Sequence, residues 1–584
     1  MKMRDLGRLA VPEKFWVRNF KSLKNFELDL PSKLTIIVGA NGSGKTSIVE
    51  IFELLNYILE WARRRIINPF HKWWGYGNAV WKHDEDLPIT IGFKIRLENL
   101  QEKMSKILDP EIADYLLGFI IPERFKRNSI TAEIVYEFDV TGKGGKFQIQ
   151  KEKITITDRY MEVNVDTSKR QISVTINMRD LLEAFHHFNT ALLQNLKERQ
   201  GEDLEFLLDE HSYLSRIRRE YMKFIDVMDS LGIHYEEARE RFIDLALSIP
   251  GIVSVELYKL DFTHQMENDY SVFYVFPEVE RRLELGISNF LDIAIDILED
   301  SVNTDKLEKS LKNTLEKAIQ KGIHVNSASN KYSELAETWS GANLELLNEL
   351  IMRILHKLLT KYILDEIVDS IILTSAIIYG FMDGVAVVKS INWEKVVTPQ
   401  PLEKHSRLYP DASNFIQFFF TLTGGSVSQG VREALKYCFP GPREFNVRFE
   451  VTDDGRVYMS LVADDLTLKP MSIPCGVLKT LLLEALLEWK PTLLVIDEFE
   501  NSLHPEVQQF LIDEFRNSNI HVILTTHSTI PLNYAKRVEE VVVLVLENSE
   551  SKPRRLREDV LKLLEAKRLT LSELLLSGLA EFQE

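Results

Sequence analysis

The sequence predicts an α/β fold, a mixed sheet with an antiparallel β lobe, interrupted by a large and mainly helical insertion. Two observations predict it. Continuous apolar runs, typical of strands buried on both faces, occur towards both ends of the chain, at residues 34–38, 493–496 and 521–525. Between residues 87 and 178, short β-like segments separated by Gly-rich turns indicate antiparallel strands.

Strands precede the first apolar run, and a helix follows it. Residues 15–30 alternate apolar and polar side chains, which predicts two short strands around a turn near Lys21 and Ser22. From Lys45 the apolar residues recur every three to four positions, the pattern of an amphipathic helix. The chain is therefore expected to run from strand to glycine-rich loop to helix at this point.

The middle of the chain has a mainly helical pattern. Residues 344–362 show the clearest helical periodicity. The apolar stretch 371–382 is too short to span a bilayer and predicts a buried helix. After Leu402 the pattern is mixed again, and a charged segment at 547–559 leads to a short helical tail. The predicted segments are the N-terminal half of the nucleotide-binding domain (1–179), the helical insertion (180–400), the C-terminal half (401–549) and the tail (550–584).

The chain is acidic. Its 584 residues include 88 Asp and Glu against 71 Lys and Arg, for a formal net charge of −17. A protein that coats nucleic acid over its whole surface would be basic, so any nucleic acid has to be held by a local patch. Cys438 and Cys475 form neither a disulfide framework nor a zinc-ligand spacing. Since the N-terminal residues also lack the apolar core of a secretory signal, we expect a cytoplasmic protein.

The most specific motif lies between the first buried strand and the first helix. The run GANGSGKT at 39–46 matches the phosphate-binding pattern G-x-x-x-x-G-K-[ST]. Glycines let the backbone approach phosphate oxygens closely, and the helix dipole adds to the field. Lys45 is the expected cation at the β- and γ-phosphates, and Thr46 is an expected ligand of Mg²⁺. The predicted nucleotide-binding residues are Gly39, Asn41, Gly42, Ser43, Gly44, Lys45, Thr46 and Ser47.

Two carboxylates follow the second buried strand. The run 493–496 ends at Asp497 and Glu498, which places both at the carboxyl edge of a parallel sheet, where ligands bind in open α/β folds. There Asp497 would hold Mg²⁺, mainly through water, and Glu498 would act as general base. Taken alone, this pattern is equally compatible with a strand that ends in solvated acids.

A histidine follows the third buried strand. The run 521–525 leads through Thr526 to His527, so His527 is predicted at the same sheet edge. There it would hydrogen-bond the γ-phosphate and help to orient the attacking water. The predicted catalytic residues are therefore Glu498, His527 and Lys45. For the other histidines, a satisfied surface position is the better interpretation.

Together these strand ends resemble the ABC-type ATPases of the SMC, RecF and OLD kind. The segment Arg18–Leu23 resembles the opening of that group. The run DEFENSLHP at 497–505 closely resembles the Walker B motif and D-loop of the OLD-like, AAA-type branch, and residues 408–415 resemble the start of its second half. The resemblance covers roughly residues 13–60 and 405–535, and it implies a P-loop NTPase fold of ABC type.

The signature sequence departs from the pattern of that group. The family has a Ser-x-Gly motif just before a helix, whose donors reach the γ-phosphate bound to the partner subunit. Here Gly476 fits, but the serine position holds Pro474, which has neither a hydroxyl nor a backbone N–H. The Ser472 hydroxyl replaces the missing donor only if the loop shifts. Otherwise the contact with the partner's nucleotide is weakened, and hydrolysis is expected to be slow or partner-dependent. The resemblance adds Gly476 and, in the opening segment, Lys21 to the expected nucleotide contacts.

The resemblance implies an ATP-dependent homodimer with Mg²⁺ as cofactor. In this group two ATP molecules lie between two head domains, each contacted by the P-loop of one and the signature of the other. ATP binding would close the dimer, hydrolysis would release it, and the insertion would convert closure into work or recognition. For the Q-loop glutamine, Gln148 and Gln150 qualify by position only, and a strand-surface position is the better interpretation.

Two basic stretches are candidate nucleic-acid contacts. Residues 61–76 combine arginines with aromatic residues, and residues 552–557 are also rich in arginine. Arginines for phosphates and aromatic rings for stacking on bases suit nucleic acid. Both stretches also fit a structural role, and for 61–76 we favour a solvated helix end followed by a packed aromatic loop.

The leading hypothesis is an OLD-like or RecF-like ATPase that acts on DNA or in a nuclease-associated antiviral defence system. Residues 528–584 are too few for the metal-dependent nuclease domain of OLD nucleases, so any nuclease is expected to be a separate partner chain. The main alternative is a nucleotide-gated sensor or scaffold with little hydrolysis, which Pro474 favours and Glu498 and His527 oppose. A transporter ATPase subunit fits less well because the signature is poor and the insertion is very long.

Overall fold

The computed structural model describes residues 3–107, 131–159, 161–169, 171–177, 252–258, 370–464, 466–557 and 570–576, with isolated residues at 272–273, 277, 281, 560 and 582. In chain order the strands are β1 (Ala10–Phe20), β2 (Leu23–Asp29), β3 (Leu34–Gly39), β4 (Ile89–Leu97), β5 (Ala132–Thr141), β6 (Gln148–Thr157), β7 (Met161–Asp166), β8 (Gln171–Asn177), β9 (Ile252–Tyr258), β10 (Val385–Val388), β11 (Gln400–Pro401), β12 (Asn446–Val451), β13 (Arg456–Ala463), β14 (Leu466–Leu468), β15 (Leu493–Ile496), β16 (His521–Thr525), β17 (Val541–Glu547) and β18 (Glu550–Arg555).

The α-helices of the described residues are numbered in the same way. They are α1 (Met3–Gly7), α2 (Lys45–Ala62), α3 (Leu100–Ile107), α4 (370–383), α5 (Trp393–Val397), α6 (Phe415–Thr423), α7 (Gln429–Cys438), α8 (Cys475–Trp489), α9 (Pro505–Asn517), α10 (Thr529–Asn533) and α11 (Leu571–Leu576).

Three sheets organise these strands. The β lobe is an antiparallel sheet in the order β2-β1-β4-β5-β6-β7-β8-β9. The P-loop sheet has the order β10-β15-β16-β3-β17-β18, in which every neighbouring pair is parallel except β17 and β18. A small antiparallel sheet contains β11, β13, β12 and β14. The P-loop sheet thus joins strands from distant parts of the sequence.

Both faces of the P-loop sheet are buried, because successive side chains of a strand point to opposite faces. Ile37 and Val495 belong to the core shared with α2 and the β lobe. Their neighbours Ile36 and Ile496 belong to the core shared with α6, α7, α8 and α9. The continuous apolar runs of the sequence are therefore explained by a sheet that is covered on both sides.

The main elements predicted from the sequence are present. The three apolar runs form β3, β15 and β16, the helix that follows the glycine-rich loop is α2, and the β-like segments build the antiparallel lobe. The apolar stretch 371–382 lies within the buried helix α4. Among the described residues, no helix has the length and apolar character needed to cross a membrane.

The structure differs from the predicted segment boundaries. Both β9 and β10 lie inside the predicted insertion (180–400), yet β9 extends the β lobe through β8, and β10 joins the P-loop sheet beside β15. The predicted tail (550–584) begins with a strand, β18, which pairs with β17. The local pattern of these strands does not show which sheet they join, and only their pairing partners reveal it. The helical pattern at 344–362 lies outside the described residues.

Candidate nucleotide-binding site

The glycine-rich loop connects β3 to α2 and is held from two sides. Gly44, the residue before α2, has a left-handed φ of 99°. A Cβ at this position would lie 2.1 Å from the Ser551 hydroxyl and 2.7 Å from the Ser22 hydroxyl. These serines belong to the β17–β18 hairpin and the β1–β2 turn, which are joined by a Ser551 N–H to Ser22 carbonyl hydrogen bond of 2.9 Å. Backbone conformation and close approach both require glycine here.

The polar groups of this loop fit a phosphate. The buried Lys45 Nζ donates hydrogen bonds to the carbonyls of Gly39 (2.7 Å) and Ala40 (3.0 Å). Burial lowers the pKa of Lys45, and the nearby acids Asp497, Glu500 and Glu498 oppose that shift. The Ser43 hydroxyl is buried, with no hydrogen-bond partner among the described residues. A cation on weak acceptors and an unsatisfied hydroxyl are groups that a bound phosphate would satisfy.

The remaining predicted residues of the loop lie around these groups. Asn41, Gly42 and Thr46 are exposed, and Ser47 is half-buried on α2. The loop therefore presents an accessible surface with Lys45 behind it.

Asp497 follows β15 and lies opposite the start of α2. Its backbone N–H donates to the Val388 carbonyl (2.9 Å), and its carboxylate accepts a hydrogen bond from the Thr525 hydroxyl (2.7 Å). Burial raises the pKa of Asp497, while the hydroxyls of Thr525 and Thr46 lower it. One carboxylate beside one hydroxyl suits Mg²⁺, which keeps several waters and takes few protein ligands when it also binds phosphates.

Thr46 and Asp497 are thus the residues that would hold the metal. No group of three or more His, Cys, Asp or Glu side chains among the described residues is arranged to hold a metal ion. The donor set accordingly fits a cation shared with a nucleotide.

Glu498 is exposed at the same edge of the sheet. Its backbone is left-handed, with φ of 46°, and its N–H donates to the Thr525 hydroxyl (2.9 Å). The Asn501 side-chain amide donates to the Glu498 carboxylate at 2.5 Å. Glu498 is therefore held at its backbone and at its carboxylate while facing solvent, which a general base for water requires.

His527 follows β16 and is anchored by its backbone. Its N–H donates to one oxygen of Glu500 (2.7 Å), and the Thr526 hydroxyl donates to the other (2.7 Å). The residue itself is exposed. Glu500 thus ties the end of β15 to the end of β16. We did not single it out from the sequence, although it lies inside the DEFENSLHP run.

A cluster of charged residues lies along α2, behind the loop. Glu50 accepts hydrogen bonds from Lys21 and from Lys389 (2.5 Å to the latter). Burial alone would raise the pKa of Glu50, but these two lysines lower it below its usual value. Lys72 pairs with the buried Glu53. Lys21, an expected nucleotide contact, thus places its ammonium on Glu50. Lys389 follows β10. Because this strand was not predicted, no sequence pattern pointed to Lys389 as part of the site.

The stretch equivalent to the signature lies at the start of α8. Pro474 is the residue before the helix, and both it and Cys475 are exposed. A Cβ on Gly476 would lie 2.2 Å from the Ser502 carbonyl oxygen. Gly476 is therefore packed against the segment that follows Glu498, and its expected contact with a partner's nucleotide stays a prediction.

The other sequence candidates lie away from this edge. Gln148 and Gln150 are exposed on β6, as a strand-surface interpretation expects. In the stretch 61–76, Phe70, Trp73 and Tyr76 are buried. These three rings form the packed aromatic loop that we favoured from the sequence, whereas Trp74 is 92% exposed.

Several charges of the two basic stretches have acidic or carbonyl partners. Arg63 binds Asp383 (2.8 Å). Lys552 and Arg554 both bind Glu547, at 3.0 and 2.9 Å. These pairs occupy cations that nucleic acid would otherwise use.

A family model described as an AAA ATPase domain matches residues 13–372. The chain belongs to this AAA ATPase family. A second AAA-domain model, whose description refers to the AbiEii toxin of a type IV toxin–antitoxin system, matches residues 445–532. The family assignment agrees with the SMC- and RecF-like, ABC-type fold expected from the motifs.

Similar proteins include SMC proteins. The chain is 55% identical over 38 residues to the chromosome partition protein Smc of Methanocaldococcus jannaschii, which covers 6% of this chain and 3% of that protein. The chain thus spans a small part of the length of this curated relative.

Solved SMC heads are also similar. An SMC head bound to the C-terminal winged-helix domain of ScpA has a TM-score of 0.37 at 12% identity, covering 94% of this chain and 99% of that one. An SMC head of Pyrococcus furiosus with the C-terminal domain of ScpA has 0.31 at 14%, covering 96% and 100%. The SMC head of Thermotoga maritima has 0.30 at 9%, covering 94% and 99%.

Proposed function

We propose that this AAA ATPase family protein binds ATP with Mg²⁺ and hydrolyses it between two copies of the chain. One observation carries the proposal. The glycine-rich loop after β3, the acids after β15 and His527 after β16 meet at one edge of the P-loop sheet, because these strands are parallel neighbours. Polar groups at this edge are where ligands bind in such folds.

The loop would bind and orient the triphosphate. Its N–H groups and the α2 dipole favour phosphate oxygens, and Lys45 would move from the carbonyls of Gly39 and Ala40 to the β- and γ-phosphates. Thr46 and Asp497 would hold Mg²⁺, which supplies charge neutralisation at the phosphates when bound.

Glu498 would act on the water. The water oxygen attacks the γ-phosphorus, the bond to the bridging oxygen of the β-phosphate breaks, and the water proton passes to the Glu498 carboxylate. His527 would donate a hydrogen bond to a γ-phosphate oxygen and so keep the group in line. ADP and inorganic phosphate are the products.

ATP turnover tests this function. We expect wild-type protein to hydrolyse ATP and Glu498→Gln to lose about 100-fold or more in kcat while it keeps ATP binding. Glu444→Gln is the matched control, because the Glu444 side chain is 74% exposed. Wild-type protein that binds ATP and forms dimers but releases no phosphate would contradict hydrolysis.

That last outcome is what the second candidate function predicts. A nucleotide-gated sensor or scaffold would use ATP to hold the dimer and would hydrolyse it little. Pro474 favours this alternative, because the residue before α8 offers no hydroxyl or N–H to a partner's nucleotide. A transporter ATPase subunit remains the weaker alternative, since nothing in the described residues favours it.

We further propose that ATP turnover is coupled to DNA or to a nuclease-associated defence system. The motif resemblance supports this coupling. Because several cations of the basic stretches already pair with acids, DNA bound there would have to compete with these ion pairs. ATP turnover measured with and without double-stranded DNA tests the coupling to DNA. A rate that changes with DNA would support it, and an unchanged rate would favour a protein partner.

A further inference from the structure

Lys479 is a buried lysine that contacts the turn carrying the proposed general base. It lies on α8 with 3% of its surface exposed. Its Nζ donates hydrogen bonds to the backbone carbonyls of Glu498 (3.0 Å) and Asn501 (3.1 Å). Burial lowers its pKa to about 8, against the opposing effect of the acids around it. An ammonium is costly to bury unless it has such partners.

The turn needs support from outside. Glu498 and Ser502 both have left-handed backbone, with φ of 46° and 66°, which is unfavourable for residues with a Cβ. Conformations of this kind persist when surrounding contacts determine them. Lys479 supplies two contacts to the carbonyl groups of the turn, and Asn501 supplies one to the Glu498 carboxylate.

The same helix touches the turn a second time near its start. Gly476, one helical turn before Lys479, packs so closely on the Ser502 carbonyl that a Cβ would lie 2.2 Å from it. The start of α8 therefore contacts the turn 498–502 at both of its ends, through Lys479 at Glu498 and through Gly476 at Ser502. A shift of the helix start would move the backbone of Glu498 with it.

We propose that Lys479 is a positioning residue that fixes Glu498 and couples its orientation to the start of α8. The proposal rests on the proposed hydrolysis for its consequence in turnover. Its structural part, the support of the turn, is independent of hydrolysis. A partner's nucleotide that contacts Pro474 and Gly476 would act through Lys479 on the Glu498 of the same chain.

Hydrogen exchange of nucleotide-free, full-length protein tests the support directly. We expect Lys479→Met to raise exchange in residues 497–503 about tenfold or more, because it removes two hydrogen bonds from a charged group and one alone corresponds to about tenfold, while β16 and α2 exchange as in wild type. Lys479→Arg keeps a buried cation with donors and should stay near wild type. Lys436→Met, on the exposed face of α7, is the control. Wild-type exchange in Lys479→Met overturns the proposal.

Turnover then tests the coupling. We expect Lys479→Met to lower kcat about tenfold or more and to change the Kd for ATP less than about threefold, with recovery in Lys479→Arg. An equal loss in both variants with unchanged exchange overturns the proposal. If Lys479→Met does not fold, Lys479→Gln takes its place. Because glutamine keeps a neutral donor, exchange in residues 497–503 should rise above wild type by less than about tenfold, and wild-type exchange would overturn the proposal. Raised exchange together with an inactive wild type would reject the proposed hydrolysis and keep the support of the turn.

Discussion

Lys45 lies against the carbonyls of Gly39 and Ala40, acceptors that cannot match a triphosphate in charge. Its role therefore depends on one interaction that a neutral side chain of similar length lacks. Glu498 and His527, by contrast, would act after binding. At the scale of residues, binding and hydrolysis should be separable.

Lys45→Met should weaken ATP binding about tenfold to hundredfold, because a hydrogen-bonded charge contributes about 1.5–3 kcal/mol. Equilibrium titration with ATP measures this change. Glu498→Gln serves as the comparison, and it should bind as wild type does. Equal affinity in wild type and Lys45→Met would contradict the assignment of the loop.

Glu484 predicts a pH dependence of stability. It is buried on α8, and burial together with Glu514, Glu433 and Glu488 raises its pKa from 4.5 to about 8. Because the folded state binds this proton more tightly, stability due to Glu484 is full below pH 4.5 and is lost as the pH rises to about 8.

Glu484→Gln should therefore be more stable than wild type at pH 8. Each tenfold difference in proton affinity between the folded and unfolded states corresponds to about 1.4 kcal/mol. The difference should shrink as the pH falls towards 5.5. Urea unfolding across this pH range measures it. Glu444→Gln, a change at an exposed side chain, should show no such trend, and a pH-independent difference would disprove the assignment to Glu484.

The helix α8 is the element that connects the signature-like turn to the Walker B strand. It begins after Pro474, packs through Gly476 on Ser502 and reaches Glu498 through Lys479. Its apolar residues fill the core under the P-loop sheet. Small changes in its first turn should therefore affect the acids at the sheet edge.

Gly476→Ala tests this connection. Its Cβ would meet backbone that cannot easily move, so we expect a loss of about 1–3 kcal/mol in unfolding free energy and slower turnover. Gly430→Ala is the matched control, since Gly430 is also the second residue of its helix and a Cβ would meet only side-chain atoms, Glu484 at 3.4 Å and Ser428 at 3.9 Å. Alanine at 430 should be neutral or stabilising by about 1 kcal/mol. Equal effects of the two substitutions would contradict the close packing.

Across the whole molecule, the site depends on chain segments that lie far apart. β3 comes from the N-terminal part, β15 and β16 from the C-terminal part, and β10 from the end of the segment predicted as the insertion, just after α4. A displacement of α4 or β10 would therefore act next to Asp497, because the Asp497 N–H donates a hydrogen bond to the Val388 carbonyl.

The proposed dimer predicts an interface at the start of α8. Met471, which is 82% exposed just before Pro474, would be covered there. Met471→Glu, made in a Glu498→Gln background to retain ATP, should abolish ATP-dependent dimers in sedimentation while ATP still binds, because a buried unpaired charge is costly. Val451→Glu, at another exposed apolar residue (58%), should leave dimers intact. Dimers that tolerate Met471→Glu would place the interface elsewhere.

Local pattern was sufficient for much of the fold. The apolar runs of β3, β15 and β16, the glycine-rich loop and the start of α2 were all predicted from the sequence, since each depends on neighbours along the chain. The same information predicted that acids and a histidine end two of these strands. By itself the sequence therefore determined which elements form and which side chains end these strands; the nucleotide site that they build stays a prediction.

Only the tertiary structure decided which segments surround that centre. β10 and β18 are as long as the predicted strands β15 and β3, but their local pattern does not show which sheet they join, and their place follows from pairing with β15 and β17. Glu500, Lys389 and Lys479 act on groups far away in sequence or across a strand end. Several cations of the basic stretches pair with acids outside them. Hydrogen bonds and ion pairs between distant residues leave no periodic signal, because their geometry exists only once the sheet has assembled.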